Sequence, residues 1–238
     1  MLDTSLEEGI TVVIPTLLMG PKEVFSYTLE QLNSNDLVKE IIIIDNTEDK
    51  SYEKYFLVTP KINILKLEGN QGASYNLGMT ICKTKYYLLI NDDVACRSSI
   101  MDSCFKIMEI DKEIGLLQIE TKVIQPLEDY IKDDTKEEVA YSIPHNPRAS
   151  MCGWFQFGRT ENWIEIPKEL KYFYGDDLLL EIMKHKGKKV ARIISDHISH
   201  IESSTVGKII PMHTVIMAEH KIYLEVLKRI FNETNPTQ

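Results

Sequence analysis

The chain has 238 residues, of which 43% are apolar and 26% charged, and a formal net charge of −9. That length suffices for one large α/β domain with a full core and does not require two, and the composition is that of an ordinary globular protein. The acidic balance excludes a surface built throughout for nucleic acid, though not a local basic path.

Met1 to Gly9 is acidic and poor in apolar residues, unlike a signal or transit peptide. Thr11 to Pro15 is a β-branched strand stopped by proline, and from Lys22 to Asn33 the residues Phe25, Leu29 and Leu32 recur at helical spacing. Glu40 to Asp45 is a second strand, buried on both faces by its lack of alternation, and it ends in an acid. Lys61 to Leu67 is a third. Strand, helix, strand and strand again is the opening of a doubly wound nucleotide-binding half. A Gly/Asn loop, Glu68 to Gly78, then runs into a helix ending near Lys83. Its glycines let backbone N–H groups approach a phosphate, yet the spacing is neither a dinucleotide fingerprint nor a P-loop, which disfavours a dehydrogenase or a P-loop kinase.

Tyr86 to Ile90 is a short apolar run that reads as a central strand, and it ends in Asn91-Asp92-Asp93. In open α/β sheets ligands bind beyond the carboxyl ends of the strands, which is where these acids lie. Alternation puts Asn91 and Asp93 on one face and Asp92 on the other. Neighbouring carboxylates repel unless a cation lies beside them, and Mg²⁺ or Mn²⁺ with a phosphate-bearing substrate is the usual partner.

Ile100 to Ile110 is a helix and Gly115 to Ile124 a strand, after which Gln125 to Pro147 loses periodicity and reads as a lid or an acceptor-facing loop. Gly153 to Arg159 is an aromatic strand; Trp163 and Pro167 lie in a loop, and a helix from Leu178 to Gly187 follows Tyr172-Phe-Tyr-Gly-Asp-Asp177. Lysines 184, 186, 188 and 189 crowd its end as a solvated helix terminus. Val190 to Ser195 is a strand leading to His197, His200 and Ser204, and Met212 to Phe231 is a last helix whose mixed charges, Glu219 and Glu225 among them, favour docking on the domain over a membrane surface. No apolar run approaches the ~20 residues of a membrane span. Cys82, Cys96, Cys104 and Cys152 lack zinc-site spacing and read as reduced thiols of a cytoplasmic protein. Trp154 and Trp163 suit either a sugar ring or the core, and Arg159 either a phosphate or a surface acid. His145, His185, His213 and His220 read as surface or core histidines.

Taken in order, Val-Ile-Pro-Thr16, Ile-Ile-Asp45, the Asn70/Gly72 and Asn76/Gly78 loop, Leu-Leu-Ile-Asn-Asp-Asp93, Gly153-Trp-Phe, Tyr-Gly-Asp-Asp177 and His200 with Ser204 form a pattern. It resembles the family 2 glycosyltransferases of the GT-A fold over residues 11 to 206. The family's Asp-x-Asp is here Asn91-Asp92-Asp93, which leaves Asp93 as the expected metal ligand.

The resemblance implies a single GT-A catalytic domain of class α/β, with a mostly parallel nucleotide-binding sheet flanked by helices. Its nucleotide-binding half would span 11–97, its acceptor half 98–206, and a C-terminal helix and tail 207–238. It implies an inverting, metal-dependent transfer of a sugar from a nucleotide diphosphate sugar, UDP favoured, to an acceptor hydroxyl. Pro15, Thr16 and Asp45 would frame base and ribose, with Asn70, Gly72, Asn76, Asn91, Asp92 and Trp154 completing the donor site. Asp93 and His200 would hold Mn²⁺ or Mg²⁺, and of Asp176 and Asp177 the second is the first choice for the base. An Asp in this place can also cap the helix, which one carboxylate is enough to do. The run from Gly153 to Asp177 resembles virus- and phage-encoded members, which adds a hydroxymethylated DNA base, in a host cytoplasm, to glycan, protein and lipid-linked acceptors. The competing readings are a degenerate nucleotide-sugar or glycan binder without turnover and a nucleotidyltransferase; the latter lacks its Gly-rich, basic loop after the first strand, where Leu17 to Lys22 carries only Lys22.

Overall fold

Strand β1 (Glu7–Thr16) is the axis of the sheet, because Ile10, Val12, Val13 and Ile14 are buried on both of its faces. The computed structural model describes residues 5–48, 59–119, 127–132, 139–145, 153–196, 198–200 and 212–234. After β1 come helix α1 (Lys22–Ser34), β2 (Val38–Asp45), β3 (Ile62–Lys66), helix α2 (Gln71–Ile81) and β4 (Thr84–Ile90). These are followed by β5 (Val94–Cys96), α3 (Ser99–Ile110), β6 (Ile114–Ile119), α4 (Leu127–Lys132), β7 (Ala140–Ser142) and β8 (Phe155–Arg159). The chain closes with α5 (Gly175–His185), β9 (Lys189–Ile194), β10 (Ile198–His200) and α6 (Met212–Thr234).

Eight strands form one sheet in the order β3-β2-β1-β4-β8-β6-β9-β7. Four neighbouring pairs are parallel (β2/β3, β1/β2, β1/β4 and β6/β9) and three antiparallel (β4/β8, β6/β8 and β7/β9). One face is covered by α1 and α3 through Phe25, Leu29, Leu32, Met101 and Met108. The other is covered by α2, α5 and α6 through Tyr75, Met79, Leu179, Met183, Tyr223 and Val226. The amphipathic helices thus bury their apolar stripes on both sides of a sheet that has no polar face.

Several elements differ from the sequence reading. Within the supposed excursion 125–147, α4 and β7 are formed; Tyr130 is buried, its ring edge-on to Tyr27 at 5.9 Å and under the Arg97 guanidinium at 5.2 Å. Local periodicity missed this because the anchors lie far off in sequence. β5 and β10 are three residues each, too short to show alternation, and they pair antiparallel as a separate ribbon. Helix α5 begins at Gly175 rather than Leu178, with Tyr174 as its N-cap, so Asp176 and Asp177 lie inside the first turn and neither is the cap. Cys152, His197, Ser204, the end of the expected strand 115–124 and much of 125–147 lie outside the described residues. Cys82, Cys96 and Cys104 are free thiols. Among the described residues no helix is long and apolar enough to cross a membrane.

Candidate active site

A cleft opens beyond the carboxyl end of β4. Its lining includes Gln71, Tyr75, Asn91, Asp93, Trp154, Asp176 and His200, together with the stretch Leu170 to Phe173. β4 ends at Ile90, and the next three residues diverge as alternation requires: Asn91 and Asp93 line the cleft, while Asp92 turns away to accept a hydrogen bond from the Thr16 hydroxyl.

Asp93 is brought to His200 by the ribbon. The register His200↔Val94 sets the imidazole beside the residue that follows Asp92, with Nε2 3.2 Å from Asp93 Oδ1. The Trp154 indole stacks on that imidazole at 5.3 Å and 15°, which fixes the ring plane. Two donors each ~2.1 Å from one cation at a right angle stand about 3 Å apart, so this pair fits a divalent ion. One carboxylate oxygen and one imidazole nitrogen suit Mn²⁺ better than Mg²⁺. Among the described residues no third His, Cys, Asp or Glu joins them.

Asp92 is buried, and burial, with Asp93 next to it, lifts its carboxyl to about 6 against the Thr16 bond that lowers it. The Tyr75 phenol is pushed well above its ordinary range, first by burial and then by Asp176, Asp93 and Asp92. Its oxygen is 2.9 Å from Gln71 Nε2 and 3.3 Å from Asn91 Oδ1. Tyr75 therefore stands as a neutral hydroxyl among three carboxylates.

The acidic pair at the start of α5 divides. Asp176 lines the cleft, and Asp177 is not among the lining residues. Gly153 passes directly under Asp176, where a Cβ would overlap the carboxylate; this explains the glycine before Trp154.

Several residues expected at a ligand also make hydrogen bonds or close contacts within the protein. Asn70 caps α2, its Oδ1 accepting from Ala73 N at 3.0 Å. Asn76 spends both ends of its amide on Ile166, donating to its carbonyl at 2.7 Å and accepting from its N–H at 2.8 Å. Gly72 lines the cleft, where a Cβ would come 2.8 Å from the Leu170 carbonyl oxygen. Asp45 is fully buried and accepts from Thr47 N at 2.8 Å and Thr47 Oγ1 at 2.6 Å, with Lys66 Nζ 3.1 Å away. Pro15 and Thr16 end β1, and Thr16 Oγ1 also accepts from Leu18 N at 2.8 Å. Arg159 donates to the Tyr86 hydroxyl at 2.9 Å and to the carbonyls of Ile114 and Met108 inside the sheet, and its charge helps hold the Glu109 and Asp111 carboxyls below their ordinary range. Trp163 packs edge-on to Tyr87 at 5.5 Å as core.

Gln71, Tyr75, Lys171, Tyr172 and Phe173 line the cleft without having been singled out from sequence. Gln71 and Tyr75 stand at i and i+4 on α2, a spacing that could have paired them. Residues 170–173 carry no periodic signal.

No protein-family model matches the chain, and no curated protein does. Among solved structures, that of S. aureus TarS 1-349 superposes with a TM-score of 0.53 at 17% identity, covering 77% of this chain and 57% of that one. A second structure of S. aureus TarS gives 0.55 at 17% identity, covering 82% of this chain and 37% of that one. The chain thus spans about half or less of those proteins, and nothing in the matches bears on a viral or phage origin. At this identity the likeness is one of fold alone: the chain has the single-domain α/β architecture of GT-A type, built on an eight-stranded, mostly parallel sheet.

Proposed function

We propose that the protein is an inverting, metal-dependent glycosyltransferase that takes its sugar from a nucleotide diphosphate sugar, UDP favoured, and delivers it to an acceptor hydroxyl. The observation that carries this reading is the meeting of Asp93, His200 and Asp176 in one cleft beyond the sheet's carboxyl edge, with the first two 3.2 Å apart. Asp93 and His200 would hold Mn²⁺ or Mg²⁺, which supplies Lewis-acid neutralisation of the departing nucleotide diphosphate. Gln71 and Gly72 open α2, and Gly175 and Asp176 open α5, so two helix N-termini face the cleft, where they favour an anionic ligand. Asp176 lies against Gly153, lines the same cleft as Asn91 and Asp93, and takes the proton from the acceptor hydroxyl as it attacks. Trp154 holds His200 in plane, and the Asp92–Thr16 bond secures the turn that presents Asp93. The acceptor classes remain glycan, protein, lipid-linked carrier or hydroxymethylated DNA base, and the site of action the cytoplasm.

The test is a panel of nucleotide sugars with Mn²⁺, Mg²⁺ or chelator, scored for donor hydrolysis and for donor binding by calorimetry. Turnover should require the cation, and Asp93→Ala should lose at least about a hundredfold in rate together with its cation-dependent donor binding. Binding without turnover in the parent would leave the degenerate binder, and release of pyrophosphate from a nucleoside triphosphate and a sugar phosphate would move the protein to the nucleotidyltransferases. Donor turnover unaffected by chelator and by Asp93→Ala would end the metal assignment.

A further inference from the structure

The last helix contributes an acid that none of these roles uses. Glu219 on α6 is only 5% exposed, and its carboxylate accepts from two consecutive backbone N–H groups: Phe173 N to Oε2 at 2.8 Å, and Tyr172 N to both oxygens at 3.2 Å. A buried carboxylate is costly unless charge-assisted hydrogen bonds replace its hydration, and this one sits on the same helical stripe as the buried Tyr223 and Val226. An apolar residue would pack there as well, but would leave two N–H groups of the cleft wall without that acceptor.

What the carboxylate grips is the entry to α5. Residue 174 follows directly, and Tyr174 has φ +63 and ψ 0, a left-handed conformation that an aromatic side chain adopts only when its surroundings impose it. Its carbonyl accepts the first bond of the helix, from Leu178 N at 2.9 Å. Its ring stacks on Tyr223 at 5.0 Å and 20° and leans on His220 at 5.4 Å, so α6 holds both the backbone before the turn and the side chain at it. Asp176 comes two residues later.

We propose that Glu219 is a positioning residue, which fixes the turn at Tyr172–Tyr174 and through it the place of the Asp176 carboxylate in the cleft. The inference rests on the reading of Asp176 as the acceptor's base. It makes α6 a working part of the site, braced from the far end of the chain.

The test uses the full chain with Glu219→Gln, Glu219→Ala and, as a control, Arg229→Ala, which breaks only the exposed 3.5 Å pair between α6 and Glu169. Two quantities are read: kcat and donor KM for hydrolysis with Mn²⁺, and hydrogen–deuterium exchange over 170–176. Glutamine keeps one oxygen for Phe173 N but turns an NH₂ toward Tyr172 N. The expected result is therefore graded, with kcat down about tenfold in Gln and about a hundredfold in Ala, KM within about twofold, and exchange over 170–176 faster in that order but unchanged in β1 and β4. Arg229→Ala should match the parent in both. A kcat unchanged in Ala, a loss confined to KM, or a Gln variant equal to the parent while Ala fails would overturn the proposal, the last by showing that the carboxylate's charge and second oxygen are not needed. Should Ala fail to fold, the Gln variant decides. A parent that cleaves no donor would be the failure of the transferase reading; the exchange over 170–176 would then decide the brace, faster exchange supporting it and unchanged exchange overturning it.

Discussion

The two walls of the cleft are built by different physics. One comes off the end of β4, where Asn91 and Asp93 follow a strand paired in parallel with β1 and buried on both faces. The other, residues 166–176, belongs to no sheet; it is tied down by Asn76 at Ile166 and by Glu219 at Tyr172 and Phe173. The first wall is fixed by backbone hydrogen bonds that many side chains would permit, and the second by individual side chains from elements far off in sequence. A wall of the second kind transmits substitution, so single changes in 166–176 should alter chemistry with little loss of stability.

The largest contrast lies within the acidic pair. Asp176→Asn should lower turnover by about 10²–10⁴ with donor affinity nearly kept, and Asp177→Asn should stay within a few-fold of the parent. Equal losses would erase the distinction drawn from the cleft lining. Gly153→Ala is the next step down: the added methyl overlaps the Asp176 carboxylate and should displace it, for a loss of about a hundredfold in kcat at nearly unchanged melting temperature. A drop in melting temperature without a kcat effect would place Gly153 with the scaffold instead.

The last effect is expected just beyond β4 and concerns stability alone. The folded-state pKa of Asp92, about 6, lies above its ordinary 3.8, so the folded protein holds that proton more tightly than the unfolded chain. The contribution is complete below about pH 4 and lost as pH rises through 6, at most about 3 kcal/mol for two units of displacement. Asparagine keeps an acceptor for Thr16 but cannot ionise. With chelator present, urea unfolding of Asp92→Asn should therefore be flatter than the parent's between pH 4.5 and 8, with the variant the more stable at the upper end. Parallel curves would show that Asp92 ionises without cost where it lies.

The same contrast explains what could be read from sequence. β1, β2, β4 and the helices between them announce themselves by apolar runs and 3.6-residue spacing, and alternation alone sent Asn91 and Asp93 one way and Asp92 the other. Asn70 and Asn76 were expected at a ligand because an amide in a Gly/Asn loop suits a sugar as well as it suits a helix cap or a loop carbonyl; only the distance to Ala73 and Ile166 separates these uses. The resemblance ranks Asp177 above Asp176 without the helix start, which depends on Tyr174 taking a left-handed turn against Tyr223. Glu219 left one trace, an acid on the stripe that holds Tyr223 and Val226, and read on its own that is a surface charge.

The ribbon of β5 and β10 has only three residue pairs, Ile198↔Cys96, Ser199↔Ala95 and His200↔Val94, and a two-stranded piece of that size does not persist by itself. Asp93 and His200 stand at its open end, like the halves of a clasp sewn to opposite ends of a belt. On the proposed reading, fastening the clasp closes a loop of roughly a hundred residues, which removes entropy from the unfolded chain and adds the ligation free energy to folding. Melting temperature then becomes a gauge of occupancy: a titration with manganese and nucleotide, followed by heat alone, would report the filling of the site without any knowledge of the acceptor.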